Sequence, residues 1–267
     1  MNMLVCIKQV PDTTEIKIDP VTNTLIRDGV PSIVNPFDAD ALEVAARIRD
    51  KNNGCKIVAL SMGPMQAKNA LKECLGIAAD KAYLVSDRVF GGSDTLATSY
   101  ILSKAIAKVE EAEGKFDIIF CGKQAIDGDT AQVGPEIAEH MGYPQITCAL
   151  DVIVETEWIK ARREGDDGQH IIGIKPPCVI TITKPSFSPR FQTIKRMLAA
   201  NKTEIPVISV ADLPEINLAY LGLKGSPTKV KKTFVPERKK GGIKISGVSG
   251  EAAAKKLFNL LSEAKII

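Results

Sequence analysis

Residues 121–135 read CGKQAIDGDTAQVGP. An apolar run ends at Cys121 and a helical pattern follows, so two aspartates, a glycine and a threonine occupy a strand-to-helix junction. Three chemistries suit such a stretch. Asp127 or Asp129 can close an Asx turn and cap the helix. The Asp-Gly-Asp pair can hold magnesium, although no third carboxylate is evident. The loop can also cradle a phosphate. The first turn of a helix offers free N–H groups, Gly122 and Gly128 let the main chain approach closely, and Thr130 and Gln132 can add hydrogen bonds. The aspartates would repel a phosphate, so one is expected to cap the helix and the other to take a ribose hydroxyl or a second loop.

Two further helix entries are similar in kind. GGSDTLATS at 91–99 places Gly91 and Gly92 before Ser93 and Asp94, either of which can serve as a plain cap. In Asn35-Pro36-Phe37-Asp38, Asn35 suits the cap, Pro36 the first helical position and Asp38 the positive helix end. Two glycine-to-helix loops at one sheet edge favour a nucleotide more than either does alone. The standard fingerprints are missing: there is no G-x-G-x-x-G, no GxxxxGK[ST] and no G-x-S-x-G. The two histidines, His140 and His170, give no convincing catalytic triad and have no partner at metal-ligand spacing, so neither a catalytic residue nor a metal site is assigned.

The elements that must position these loops alternate strand and helix over the first 150 residues. Apolar strands are expected at Leu4–Val10, Lys56–Ser61, Ala82–Val85 and Phe116–Cys121, with a hairpin at 16–19 and 24–27. Helices are expected over 35–51, Pro64–Leu75, Asp94–Ala112 and Thr130–Met141. This order predicts an α/β fold, a parallel sheet with helices on both faces and ligands at the carboxyl ends of the strands. After residue 145, TCALDVIVE, EWIKARRE and HIIGIK read as antiparallel strands with GDDG as a turn, and PPCVITITK as another strand. PRFQTIKRMLAANK runs into a short helix. Residues 1–200 are expected to form the nucleotide-binding domain, and 201–267 a C-terminal arm with a last amphipathic helix near 250–264.

Composition narrows the class. A net charge of +3 is too small to argue for nucleic acid, and the basic stretch 224–244 carries no aromatic platform beyond Phe234. It reads as a solvated arm or a dock for an acidic partner. No apolar run is long enough to span a membrane, and MNMLVCIKQV reads as a strand rather than a leader, so a cytoplasmic location is expected. The six cysteines form no C-x-x-C pair and read as buried thiols.

CGKQAIDGDTAQVGP, VNPFDADALEVA, SMGP and PSFSPRFQTIKRMLAA, spread over nearly the whole chain, resemble the β subunit of electron-transfer flavoproteins. The resemblance implies an adenine nucleotide α-hydrolase-like fold and an α-subunit partner that carries FAD. It implies nucleotide contacts at Cys6, at Asn35 to Asp38, at Met62, and along Gly122 to Val133, which includes Gln124, Asp127, Gly128, Asp129, Thr130, Ala131 and Gln132. It also implies that the segment from Pro189 docks on an acyl-CoA dehydrogenase-like enzyme through Arg190, Phe191 and Ile194, with Ile194 as the exposed anchor. Without the resemblance, Ile194 would read as a buried helix residue.

The family divides. The simple form holds a structural AMP. The electron-bifurcating form holds a second FAD, which takes a hydride from NADH and splits its electrons. One goes through the α-subunit FAD to the dehydrogenase, the other to ferredoxin or flavodoxin. DGDTAQVGP and GGSDTLAT look like the bifurcating form. FAD extends beyond the AMP site. Gly91 and Gly92 are expected to give it room, with Asp94, Thr95 and Thr98 offering polar contacts. Hydride transfer to a flavin needs no acid–base side chain, which agrees with the missing triad.

Overall fold

The computed structural model describes residues 1–12, 31–231 and 241–267. The hairpin expected at 16–19 and 24–27, and the centre of the basic stretch 224–244, lie outside the described residues. The first strand is shorter than its apolar run. β1 (Asn2–Ile7) stops at Lys8, and β2 (Gln9–Pro11) pairs antiparallel with β3 (Ser32–Val34) in a separate ribbon. The break has a cause: the Lys8 N–H leaves the ladder and donates to Asp38 Oδ2 at 2.7 Å.

The chain continues through α1 (Pro36–Lys51), β4 (Lys56–Met62), α2 (Lys68–Ile77), β5 (Lys81–Val85), α3 (Thr95–Glu113), β6 (Ile118–Gly122) and α4 (Val133–Met141). Then come β7 (Gln145–Val154), β8 (Ile159–Gly165), β9 (Gly168–Ile174), β10 (Cys178–Ile182), α5 (Ile194–Lys202), β11 (Val207–Ile208), α6 (Gly222–Gly225) and α7 (Gly250–Glu263). The main sheet has the order β11-β5-β4-β1-β6-β10-β7-β8-β9. Its strands run parallel from β11 to β7, and β8 and β9 add an antiparallel edge. β7 therefore differs from its expected purely antiparallel setting: it joins β10 in parallel and β8 in antiparallel.

Burial on both faces explains the continuous apolar runs of the central strands. Met3, Val5 and Ile7 of β1 pack with α1 and α2 on one face. Leu4, with Ile119, Cys121 and Val179, packs with α3 and α4 on the other. The chain after α5 stays on this body. β11 extends the sheet at β5, and Ile208, Leu213, Ile216 and Leu221 are buried on the α3 face. By contrast α7 buries none of its residues, and Leu257 and Phe258 are exposed. Among the described residues no helix is long and apolar enough to cross a membrane.

Candidate functional site

After β1 the chain builds β4 and β5 on one side, and α3 then returns it to β6 on the other side of β1. The carboxyl ends of β1 and β6 thus flank the topological switch point, where open α/β sheets form their ligand crevice. One carboxylate ties these ends together. Asp38, in the first turn of α1, accepts from the Lys8 N–H at 2.7 Å and from the Gly122 N–H at 3.1 Å. It is 6% exposed, and burial pushes its carboxyl up to about 7 against the opposing hydrogen bonds from Asn35, Lys8 and Gly122. Gly122 is required by this contact, since a Cβ there would lie 2.7 Å from Phe37 Cβ.

Asn35 makes no side-chain cap on α1, contrary to the expectation from Asn-Pro. Its amide reaches across the crevice instead. Nδ2 donates to the Gln124 carbonyl at 2.9 Å, and Oδ1 accepts from the Ile126 N–H at 3.2 Å. Asn35 and Asp38 therefore hold the start of the 123–132 loop. Cys6 on β1 neighbours Cys121 on β6, one step beyond the Val5–Phe120 pair. The Cys6 thiol, hydrogen-bonded to it, and burial hold the Cys121 thiol well above its ordinary value. Met62 ends β4 along the same edge and is half-buried.

The loop resolves the problem of its aspartates. Asp127 accepts from Lys8 Nζ at 2.6 Å, and Asp129 accepts from Gln124 Nε2 at 2.7 Å. Neither caps α4, and both charges are screened from a phosphate by a donor. Asp129 (φ 52°) and Ala131 (φ 54°) occupy the left-handed region that side chains other than glycine rarely adopt. That backbone delays α4 to Val133, three residues after the expected Thr130 start. No side chain caps α4, and among the described residues no acceptor reaches the N–H of Val133 or Gly134. Gly128, Asp129, Thr130 and Gln132 are exposed, and a Cβ on Gly128 would meet open space. An uncapped helix start behind an exposed, strained loop fits a phosphate.

The α3 entry behaves differently. Asp94 caps the helix through the Ala97 N–H at 3.0 Å and also accepts from Thr228 N–H and Oγ1 at 3.0 and 2.7 Å. Burial alone would raise its carboxyl, but these donors hold it below the ordinary value. Asp94 thus pins residues 226–228 to α3. The space beside Gly92 is taken by this chain, because a Cβ there would lie 2.5 Å from Leu223 Cγ. Gly91 turns the chain ahead of it, with the Arg88 carbonyl 3.2 Å from where its Cβ would be. Thr95 instead faces α4: its Oγ1 lies 2.9 Å from Gln132 Oε1 and 3.2 Å from Glu136 Oε1. Thr98 sits one turn further along, half-buried. Glu136 belongs to no motif visible in the sequence, although its i+4 spacing from Gln132 puts it on the same helix face.

The segment before α5 carries a separate surface. Arg190 is turned inward: its Nε donates to Glu43 Oε2 at 2.8 Å and its Nη2 to Asp50 Oδ2 at 2.8 Å. Glu43 is 2% exposed and also accepts from Arg47, whose guanidinium lies 3.8 Å from the Phe187 ring centroid. Phe191 and Ile194 stand outward at 93% and 74% exposure, which excludes the buried reading of Ile194.

The fold and crevice define an α/β protein of the nucleotide-binding kind. A family model described as the electron transfer flavoprotein domain matches residues 22–213. The chain is 49% identical over 271 residues to the electron transfer flavoprotein subunit beta of Megasphaera elsdenii, with 100% of both chains covered. It is 44% identical over 267 residues to the caffeyl-CoA reductase-Etf complex subunit CarD of Acetobacterium woodii, again with 100% of both covered. It is 44% identical over 239 residues to Protein FixA of Sinorhizobium fredii, which covers 88% of this chain and 84% of that protein. The chain belongs to the electron transfer flavoprotein family, on the β-subunit side.

Proposed function

We propose that this chain is the FAD-holding, NADH-oxidising β subunit of an electron-bifurcating flavoprotein. The observation that carries the reading is the uncapped start of α4 next to a polar cluster shared with α3. AMP would need the crevice and the helix start alone. Thr95, Gln132 and Glu136 extend polar contacts past that point, where a longer cofactor would continue. The likeness to a subunit of a reductase-Etf complex agrees with this assignment.

In this reading the adenosine half lies among Cys6, Asn35 to Asp38, Met62 and Gly122 to Gln124, and the phosphates meet the N–H groups of 128–134. Bound FAD supplies the redox chemistry, taking a hydride and releasing electrons singly. The residues of the chain bind and orient. Asp38 and Asn35 fix the crevice, while Lys8 neutralises Asp127 and Gln124 hydrogen-bonds Asp129. The chain's partners would be an α subunit that carries its own FAD, an acyl-CoA dehydrogenase or reductase, and ferredoxin or flavodoxin, in the cytoplasm. Phe191 and Ile194 dock the dehydrogenase. The exposed apolar face of α7 and the basic stretch before it contact the α subunit. A heterodimer that forms equally well without residues 250–267 would contradict this last assignment.

NADH added without oxygen to the FAD-loaded heterodimer should bleach flavin absorbance at once. Flavin that NADH leaves oxidised, while the dehydrogenase's substrate bleaches it through the dehydrogenase, would overturn the reading. One observation favours the simple AMP form: Leu223 fills the space beside Gly92 that FAD is expected to use. Under that alternative this subunit contributes no visible absorbance.

A further inference from the structure

The hydrogen bonds between α3 and α4 do not balance. The Thr95 hydroxyl owns one proton, and two acceptors compete for it: Gln132 Oε1 at 2.9 Å and Glu136 Oε1 at 3.2 Å. The second carboxylate oxygen, Glu136 Oε2, is shielded from solvent and has no donor among the described residues. Turning the Gln132 amide over would supply Thr95 and free its proton for Oε1, but Oε2 would stay unmatched. A buried carboxylate oxygen without a donor is costly, and such oxygens are normally satisfied. The cluster is therefore short of donors, and the missing partner must bring a hydroxyl or an N–H. A phosphate, which brings only oxygens and negative charge, is excluded from it.

Position identifies the donor. Gln132 precedes α4 and Glu136 lies one turn inside it, so the cluster adjoins the N–H groups suited to phosphate. It lies on the α3–α4 face of the sheet, opposite the α1 face from which Asp38 enters the crevice. A ligand that puts adenosine in the crevice and phosphate at α4 reaches this cluster only with the part attached beyond its phosphates. We infer that Glu136, with Thr95, accepts hydrogen bonds from a polyol chain in that part, the ribityl chain of FAD, and so selects FAD over AMP. This inference rests on the FAD reading proposed for the subunit.

The test is competition. The heterodimer is loaded with FAD in the presence of increasing AMP, and both cofactors are counted after release. Glu136→Leu removes both acceptors, while Glu136→Gln trades one for a donor. The retained FAD-to-AMP ratio should fall about tenfold in the Leu variant, as loss of a hydrogen bond to a charged group predicts, and by less in the Gln variant. Undiminished AMP binding reports an intact crevice in each variant. If the wild type binds FAD here but both variants keep its ratio, the role of Glu136 is wrong and the FAD reading stands. If the wild type takes up no second FAD even without AMP, the FAD reading fails and this inference fails with it.

Discussion

Asp38 concentrates the chemistry of the crevice in one side chain. It joins strand ends that lie far apart in sequence, with Gly122 84 residues away. Its pKa when folded, about 7, exceeds its ordinary 3.8. The folded state keeps the proton where the unfolded chain has released it, so this group's contribution to stability falls as pH rises from about 4 to about 7 and is constant above. Asp38→Asn abolishes the titration and turns its amide NH2 toward one of the two backbone donors, Lys8 or Gly122. The variant should lose on the order of 1–3 kcal/mol at about pH 4.5, and its deficit should shrink by about pH 8, read from urea midpoints. A deficit that grows with pH would contradict the protonation assigned to Asp38. The sequence placed Asp38 in the right loop but for another reason, helix charge. Spacing along the chain does not reveal which backbone donors a fold brings across a crevice. The cap expected from Asn35 failed in the same way, because its partners, Gln124 and Ile126, are 89 and 91 residues distant.

At the scale of elements, α1 serves two surfaces. Its first turn holds the crevice through Asp38, and its middle holds the proposed docking segment through Glu43 and Arg190. Arg190 acts as the anchor that lets Phe191 and Ile194 project. Arg190→Ala leaves Glu43 with Arg47 and the backbone N–H of residue 190 as its remaining partners and should cost on the order of 2 kcal/mol, between exposed and buried pairs. Amide exchange across 187–194 should quicken, and electron delivery to the dehydrogenase should slow while bound flavin is unchanged. Loss of flavin would instead mean that this anchor supports the crevice. The regular elements were legible because their apolar periodicity is local: α1, β4, β5 and α3 fall within a residue or two of expectation. Three boundaries were not. α2 starts at Lys68, four residues after the expected Pro64, because a 3-10 turn over Met65–Ala67 precedes it. β1 ends early because Asp38 takes the Lys8 N–H, and α4 starts late because Asp129 and Ala131 adopt left-handed backbone. Non-glycine residues give no sequence sign of that conformation.

The whole molecule is a mostly parallel α/β sheet with a switch-point crevice, a separate segment that turns Phe191 and Ile194 outward and a last helix that buries none of its residues against the described chain. The alternation of strands and helices announced the sheet, and glycine-to-helix junctions marked its ligand edge. The short strand β11 and the burial of Leu213, Ile216 and Leu221 were invisible, because so few apolar residues in irregular chain carry no period. The central claim is that the crevice of this subunit holds FAD. It is tested most directly by counting cofactors released from the heterodimer after gentle purification and FAD supplementation. Two FAD per heterodimer is the predicted result, one of them bound by the crevice and loop residues of this chain. One FAD and one AMP would contradict the account and leave this chain a structural and docking subunit.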